Sequence, residues 1–168
     1  MKKALFVALL CCLSSFLTNA QITEVELGVN GLTCSQCSRS VEMRIRKLSF
    51  VKDVQMNLEH TDAKIFFKDK QNIDIDKIAQ AVVDAGFSVR YLQATFTFNH
   101  VSVSPNSCFS YDRNNYRIVK GEPTVLNGST TLKFVGDEFL PRKEAKKWLP
   151  YMKNTCAGSP GKTYYVTM

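Results

Sequence analysis

The sequence predicts an α+β chain, and three observations carry that prediction. Between Gln21 and Leu92, runs of strand period and stripes of helix period follow one another in the order β-α-β-β-α-β. That order is the split-βαβ, ferredoxin-like arrangement, with two helices over one face of a four-stranded antiparallel sheet. After Leu92 the pattern changes to alternating strands and turn signals, which predicts a second, smaller, strand-rich α+β domain. The expected division is therefore 1–20 as a removable leader, 21–92 as the first domain and 93–168 as the second.

The leader has the three parts of a secretion signal. Lys2-Lys3 is the charged start, Ala4 to Phe16 is an apolar run broken only by Ser14-Ser15, and Thr18-Asn19-Ala20 is a small-residue cleavage site before Gln21. The apolar run is too short to span a bilayer, and no later segment is apolar enough to do so. Cys11 and Cys12 leave with the leader; Leu10 and Cys11 stand where a lipid-attachment site would have a small residue. The expected product is exported, periplasmic or secreted, with the short Met-Lys-Lys start pointing to a bacterium. It keeps Cys34, Cys37, Cys108 and Cys156, an even count that favours at least one disulfide in an oxidising space.

In the first domain, Ile22, Val25, Leu27 and Val29 alternate with polar residues as a strand, with one irregularity at Thr23-Glu24. Gly31-Leu32-Thr33-Cys34-Ser35-Gln36-Cys37 follows as a tight loop that enters a helix. Cys37, Val41, Ile45 and Leu48 are that helix's apolar stripe, with Arg39, Arg44, Arg46 and Lys47 elsewhere on its surface. Val51 to Leu58 reads as the second strand, His60-Thr61-Asp62 as a turn and Ala63 to Phe67 as the third strand. Asn72 or Asp74 caps the second helix, whose stripe is Ile75, Ile78, Ala79, Val82 and Val83. Gly86 ends it, and Phe87 to Leu92 is the fourth strand.

In the second domain, Thr95 to Val103 alternates as a strand and Tyr116 to Val119 is a short one. Asn127-Gly128 within Val125 to Phe134 signals a two-residue hairpin turn. Pro141 suits the first turn of a helix with the stripe Ala145, Trp148, Leu149 and Met152, which Pro150 ends or kinks. Ser159-Pro160-Gly161 reads as a turn, and Tyr164 to Met168 as a terminal strand. The cysteine motif occurs once, so the two domains are not tandem copies.

Residues 24–92 resemble the heavy-metal-associated domain family of copper chaperones, metal-ATPase N-terminal modules and the periplasmic mercury-binding protein. The family's loop is Gly-Met-Thr-Cys-x-x-Cys; here Leu32 stands in place of the usual Met. Val41-Glu42, Val54-Gln55-Met56-Asn57-Leu58-Glu59 and Asp84-Ala85-Gly86-Phe87 continue the resemblance. Ser49-Phe50-Val51 departs from the usual Pro-Gly-Val, in a turn distant from the cysteines. The resemblance implies one metal ion held by Cys34 and Cys37 and exchanged with a metal-donor or metal-acceptor protein. Two soft thiolates without a fixed third ligand suit Cu(I); Hg(II) also accepts a linear dithiolate, a choice that rests on the family alone. Structural Zn(II) normally wants four ligands, and no second pair has the spacing.

Both cysteines fall at a helix start, where partial positive charge biases thiols toward thiolate. The competing reading is a thiol-disulfide oxidoreductase that uses the same pair. Thioredoxins usually carry an aromatic before the motif, a proline within it and a later cis-proline loop, whereas residues 21–92 contain no proline. Phe87 is expected to shield the site and also to be a core aromatic, and Thr33 to fix the loop through its hydroxyl. Phe66-Phe67 as base-stacking aromatics of an RNA-binding sheet fits poorly with an exported chain, because residues 21–92 carry ten basic and ten acidic side chains. After Leu92 there are ten basic and five acidic, an excess that fits solubility better than nucleic acid.

Cys108 and Cys156 are expected to form a structural disulfide, worth about 4 kcal/mol for a loop of about 49 residues, ahead of a second metal site or a docking thiol. His60 and His100 have no partner cluster by spacing; Met152 and Met168 read as packing residues. The basic run Arg142–Lys147 reads first as a solvated face. No Ser/His/Asp or paired-carboxylate arrangement stands out in the sequence, and the chain is expected to be non-catalytic.

Overall fold

A computed structural model describes residues 21–156 and 160–168. The expected leader, with Cys11 and Cys12, lies outside the described residues, as does Ser159 of the expected turn. The first half contains β1 (Gln21–Asn30), α1 (Ser35–Arg46), β2 (Val51–Asn57), β3 (Asp62–Phe67), α2 (Ile75–Asp84) and β4 (Ser88–Val103). The second half adds β5 (Cys108–Tyr111), β6 (Asn114–Lys120), β7 (Thr124–Val135), α3 (Arg142–Ala145), a 3-10 turn at Leu149–Tyr151 and β8 (Thr163–Thr167). One sheet runs through both in the order β2-β3-β1-β4-β7-β8-β6-β5.

The first four strands of that order, antiparallel throughout, are the ferredoxin-like sheet. Val41 and Ile45 of α1 and Ile75, Ile78, Ala79 and Val82 of α2 bury against Val25, Leu27, Ile65 and Leu92. The irregularity expected at Thr23-Glu24 is a register shift between Ile22 and Glu24 against β4. Asp74 caps α2 by accepting the Lys77 N–H at 3.2 Å. At the other end Gly86 and Phe87 donate to the Val83 and Val82 carbonyls at 2.9 and 3.1 Å, which closes the helix beside β4. Val83 is exposed, and Ala81 takes a buried place that the stripe had not assigned.

The second half grows from the same sheet. The expected boundary at 92/93 falls inside β4, whose sixteen residues pair with β1 on one edge and with β7 on the other. The two expected strands Phe87–Leu92 and Thr95–Val103 are therefore one. The Asn127-Gly128 hairpin is not formed: β7 is a continuous twelve-residue strand. Gly128, at φ +78°, lies opposite Phe98 at a register shift that runs to Val101, with His100 at φ +50° on the facing strand. A positive φ serves a bulge as well as a turn, and the long run of β4 partners made it a bulge. The short strand β5 carried no readable pattern.

The expected helix after Pro141 stops at Ala145. Pro150 has no N–H and its ring would meet the carbonyl of Lys146, so the chain continues in three-residue turns instead. Ala145 is buried, but Leu149, expected on the same stripe, is 59% exposed.

The sheet curls on itself. The Phe96 ring on β4 lies 5.4 Å from Phe109 on β5 and 5.1 Å from Tyr116 on β6, although β7 and β8 stand between in strand order. This brings the β5–β6 turn to α2: Asp112 Oδ2 accepts the Ile73 N–H at 3.0 Å. Lys162 Nζ reaches Asp76 of α2 at 2.7 Å, and the Tyr164 hydroxyl donates to the same carboxylate at 3.1 Å. Cys108 and Cys156 are joined by a disulfide, which ties β5 to the segment after the 3-10 turn.

Candidate metal centre

β1 ends at Asn30, and Gly31 turns the chain back with φ +85°. That φ suits glycine, and the Phe87 ring lies in ordinary contact over it, 3.6 Å from where a Cβ would stand. Leu32 is buried and roots the loop in the core. Thr33 fixes the loop through its backbone, donating its N–H to the Gly31 carbonyl at 2.9 Å. Its side chain is exposed and its hydroxyl makes no hydrogen bond among the described residues, contrary to the expected role.

Cys34 is the N-cap of α1, in extended conformation at φ −146°, ψ 158°. Its sulfur takes the place usually held by a Ser or Asp oxygen and accepts the Cys37 N–H at 3.2 Å. Its carbonyl accepts the Ser38 N–H, also at 3.2 Å, and thereby starts the helix. Cys37 sits in the first turn, half-buried against the core, and Cys34 is exposed. The two Cα atoms are 5.2 Å apart and the sulfurs are joined as a disulfide. The structure thus brings together both cysteines singled out from the sequence. The first turn of α1 carries no acidic residue, so the positive end of the helix faces the sulfurs without a competing carboxylate.

A second loop closes over the first. Asn30 pairs with Ser88 in the β1–β4 register, and their side chains meet at 3.3 Å. Phe87 lies between them and α2, half-buried, with its ring against Gly31. Both expected roles of Phe87, core aromatic and cover for the loop, fit this position. His60, in the β2–β3 turn beside the end of β1, donates its N–H to Asn57 Oδ1 at 3.2 Å, and the His100 ring binds Asn99 at 3.0 Å. Among the described residues no group of three or more His, Cys, Asp or Glu gathers as a metal site. Two sulfurs are what this loop offers an ion, the low coordination that thiophilic monovalent metals accept.

One feature at this end had no sequence signal. A groove of about 830 Å³ runs from Phe87 and Ser88, past Val83 of α2, to Glu138, Pro141 and Arg142 of the second half. Only the pairing of β7 with β4 places those residues there. Arg46, at the far end of α1, grips Glu42, Asp53 and the Val54 carbonyl, and so fixes the helix to β2.

The heavy-metal-associated domain model matches residues 26–88, the span that holds this loop and both helices. The copper chaperone CopZ of Bacillus subtilis is 33% identical over 63 residues, which cover 38% of this chain and 90% of that protein. The chain belongs to the heavy-metal-associated domain family. Copper-transporting ATPase 1 of Rhizobium meliloti is 34% identical to this heavy-metal-associated chain over 70 residues, 42% of it but 8% of the ATPase. The chain thus spans under a tenth of the transporting ATPases it matches. Oxidized MerP from Ralstonia metallidurans is 30% identical over 42% of this chain and 94% of its own, with a TM-score of 0.36. The family match stops at residue 88, before the curled half of the sheet begins.

Proposed function

We propose that this chain is an exported, non-catalytic carrier that holds one Cu(I) ion between Cys34 and Cys37 and exchanges it with a partner protein. The observation that carries the reading is the pair itself: one cysteine caps α1, the other lies in its first turn, and no third donor gathers beside them among the described residues. The helix N-terminus and its N–H groups supply the positive field that an anionic metal-dithiolate needs, since Phe87 has no charge to offer. Two-coordinate copper leaves room for a partner's thiolate to add as a third ligand. The ion then passes through a shared intermediate without release into water. Relatives named as a copper chaperone and as copper-transporting ATPases support this choice of cargo and of partner. Hg(II) is the alternative cargo for the same two sulfurs. In this reading the helix-covered half, up to β4, handles the metal. Export rests on the leader-like residues 1–20.

The test is a Cu(I) titration of the reduced protein against a chromogenic chelator. One equivalent bound, with tight binding abolished by Cys34→Ser or by Cys37→Ser, is the expected result. Full affinity in the double variant would sink the proposal.

The disulfide between Cys34 and Cys37 favours a second reading, thiol-disulfide exchange. Against it, residues 21–92 contain no proline to form the loop that presents a substrate disulfide in thioredoxins. Insulin reduction at a thioredoxin-like rate would reverse the ranking. Reversible closure of the same disulfide without turnover would instead mark the metal-free, oxidised form of the carrier.

A further inference from the structure

The segment after β7 has a surface that the metal site does not use. From Arg142 to Lys153 it holds five basic residues and one acid, Glu144. Glu144 is already taken, 3.0 Å from Lys133 of β7. Arg142, Lys143, Lys146, Lys147 and Lys153 are all exposed, and among the described residues none of them has a carboxylate partner. Lys120, also exposed, joins them beside Trp148 and Tyr151.

An apolar tip stands beside Lys120 and Lys147, while Arg142 turns to the groove at α2. Leu149 and Tyr151 are 59% and 50% exposed, with exposed Pro150 between them. The half-buried Trp148 ring lies 6.1 Å from that of Tyr151. The tip is held out rather than frayed. Ala145 anchors α3 on Val119, Val135 and Leu140, on the sheet face opposite α1 and α2. Pro150 then forces the turn that projects its two neighbours.

We propose that this surface seats the protein on an anionic phospholipid bilayer, with the lysines on the headgroups and Leu149, Tyr151 and the edge of Trp148 at the headgroup–acyl boundary. Charge complementarity selects an anionic surface, and each lysine close to such a surface adds to the attraction. The projecting apolar tip distinguishes a bilayer from an acidic protein. A protein partner needs a matching pocket to bury Leu149 and Tyr151, whereas an interface accepts them at any point and favours aromatic rings beside basic side chains. The contact is peripheral, since no helix among the described residues is long and apolar enough to cross a membrane.

Trp148 is the only tryptophan in the chain, so its fluorescence reports on this surface alone. The full chain is titrated with vesicles of phosphatidylcholine mixed with phosphatidylglycerol, and with phosphatidylcholine alone. A blue shift and co-sedimentation with the mixed vesicles only, weakening with added salt, are expected. Neutralising Lys143, Lys146 and Lys147 together, each to Gln, should weaken binding about a hundredfold, roughly fivefold per lysine. Leu149→Ser with Tyr151→Ser should also release the protein from the vesicles. All five positions are exposed, so circular dichroism and Cu(I) stoichiometry should match the parent. Absence of a shift, or an equal shift with neutral vesicles, overturns the proposal. So does a soluble polyglutamate that shifts Trp148 as the vesicles do while the Leu149/Tyr151 variant still binds vesicles, because that surface would read charge alone.

Discussion

The two halves of the sheet are built on different cores. Where α1 and α2 cover it, the buried side chains are aliphatic, with Val25, Leu27, Ile45, Ile65, Ile78 and Val82 fully enclosed. Beyond β4 no helix among the described residues exceeds four residues, and rings do the filling. Phe96, Phe109, Tyr116, Phe134 and Tyr164 pack at centroid distances of 5.1 to 6.1 Å. A helix brings a stripe of medium side chains to a flat sheet, whereas a sheet with no such cover has to curl and meet itself with large ones. The difference also decides where the chemistry sits. A helix N-terminus supplies a positive field and free N–H groups, and among the described residues only the helix-covered half has a long helix to start at the cysteines.

The largest test of this comparison is the second half's covalent tie. Cys108→Ser with Cys156→Ser opens a link across a sequence separation of 48 residues. It should lower stability by about 4 kcal/mol while leaving Cu(I) stoichiometry at one. Because β4 belongs to both halves, one urea transition is expected, seen alike by Trp148 fluorescence and by hydrogen exchange of the α1 amides. Two separated transitions would mean that the halves fold independently and that their shared strand does not couple them.

The same contrast explains what the sequence makes legible. In the first half the periods are local: a stripe at three and four residues found α1 and α2, and the loop Gly31–Cys37 lies where those periods change. Both cysteines, the Asp74 cap, the helix end at Gly86 and the bulge at Thr23-Glu24 follow from such short-range rules. In the second half the deciding contacts join distant strands. Asn127-Gly128 has the local chemistry of a turn, but the partner strand that makes it a bulge is some thirty residues away. β5 is four residues long and acquires its place from Phe109 meeting Phe96 across the curl. Pro150 was visible as a helix stop, yet the exposure of Leu149 depends on which face of the sheet receives Ala145.

A smaller effect is expected from the ring core itself. The Tyr116 hydroxyl is buried and has no hydrogen-bond partner among the described residues. Tyr116→Phe removes that orphan group and should raise stability by up to about 1 kcal/mol near neutral pH. Burial pushes the Tyr116 phenol well above its ordinary value, as it does Tyr91 and Tyr164; Glu26 and Asp76 add to the shift in the latter two. The sign follows from the protonated form being the one the fold prefers. Stability is full below the unfolded phenol's pKa, about 10, and falls as pH climbs from there through the higher folded value. The aromatic half should therefore give the protein a steep alkaline limb, shallower in Tyr116→Phe. Urea midpoints near neutrality and at about pH 11 decide it. A variant that loses stability at both would show that the hydroxyl holds a bond that matters.

The least effect belongs to the surface of the aliphatic half, where Arg46 donates to Glu42 at 2.7 Å, to Asp53 at 2.8 Å and to the Val54 carbonyl at 2.6 Å. These bonds raise the guanidinium's pKa, Glu42 contributing most, and the hydrogen bond from Arg46 holds the Asp53 carboxyl below the usual range. A depressed carboxylate contributes stability above its unfolded pKa, near 4, and that contribution disappears as pH falls through the lower folded value. Both partners are well exposed, so solvent screens the pair and the shift should be small. Arg46→Met is expected to lower the urea midpoint slightly at neutral pH, with the gap from the parent closing by about pH 3. Cu(I) affinity should not move, because Arg46 lies at the opposite end of α1 from Cys34 and Cys37. A gap that persists unchanged in acid would assign the tie to the Val54 carbonyl bond and to packing of the arginine stem. A loss of metal affinity would instead mean that α1 transmits the hold of β2 along its whole length to the cysteines.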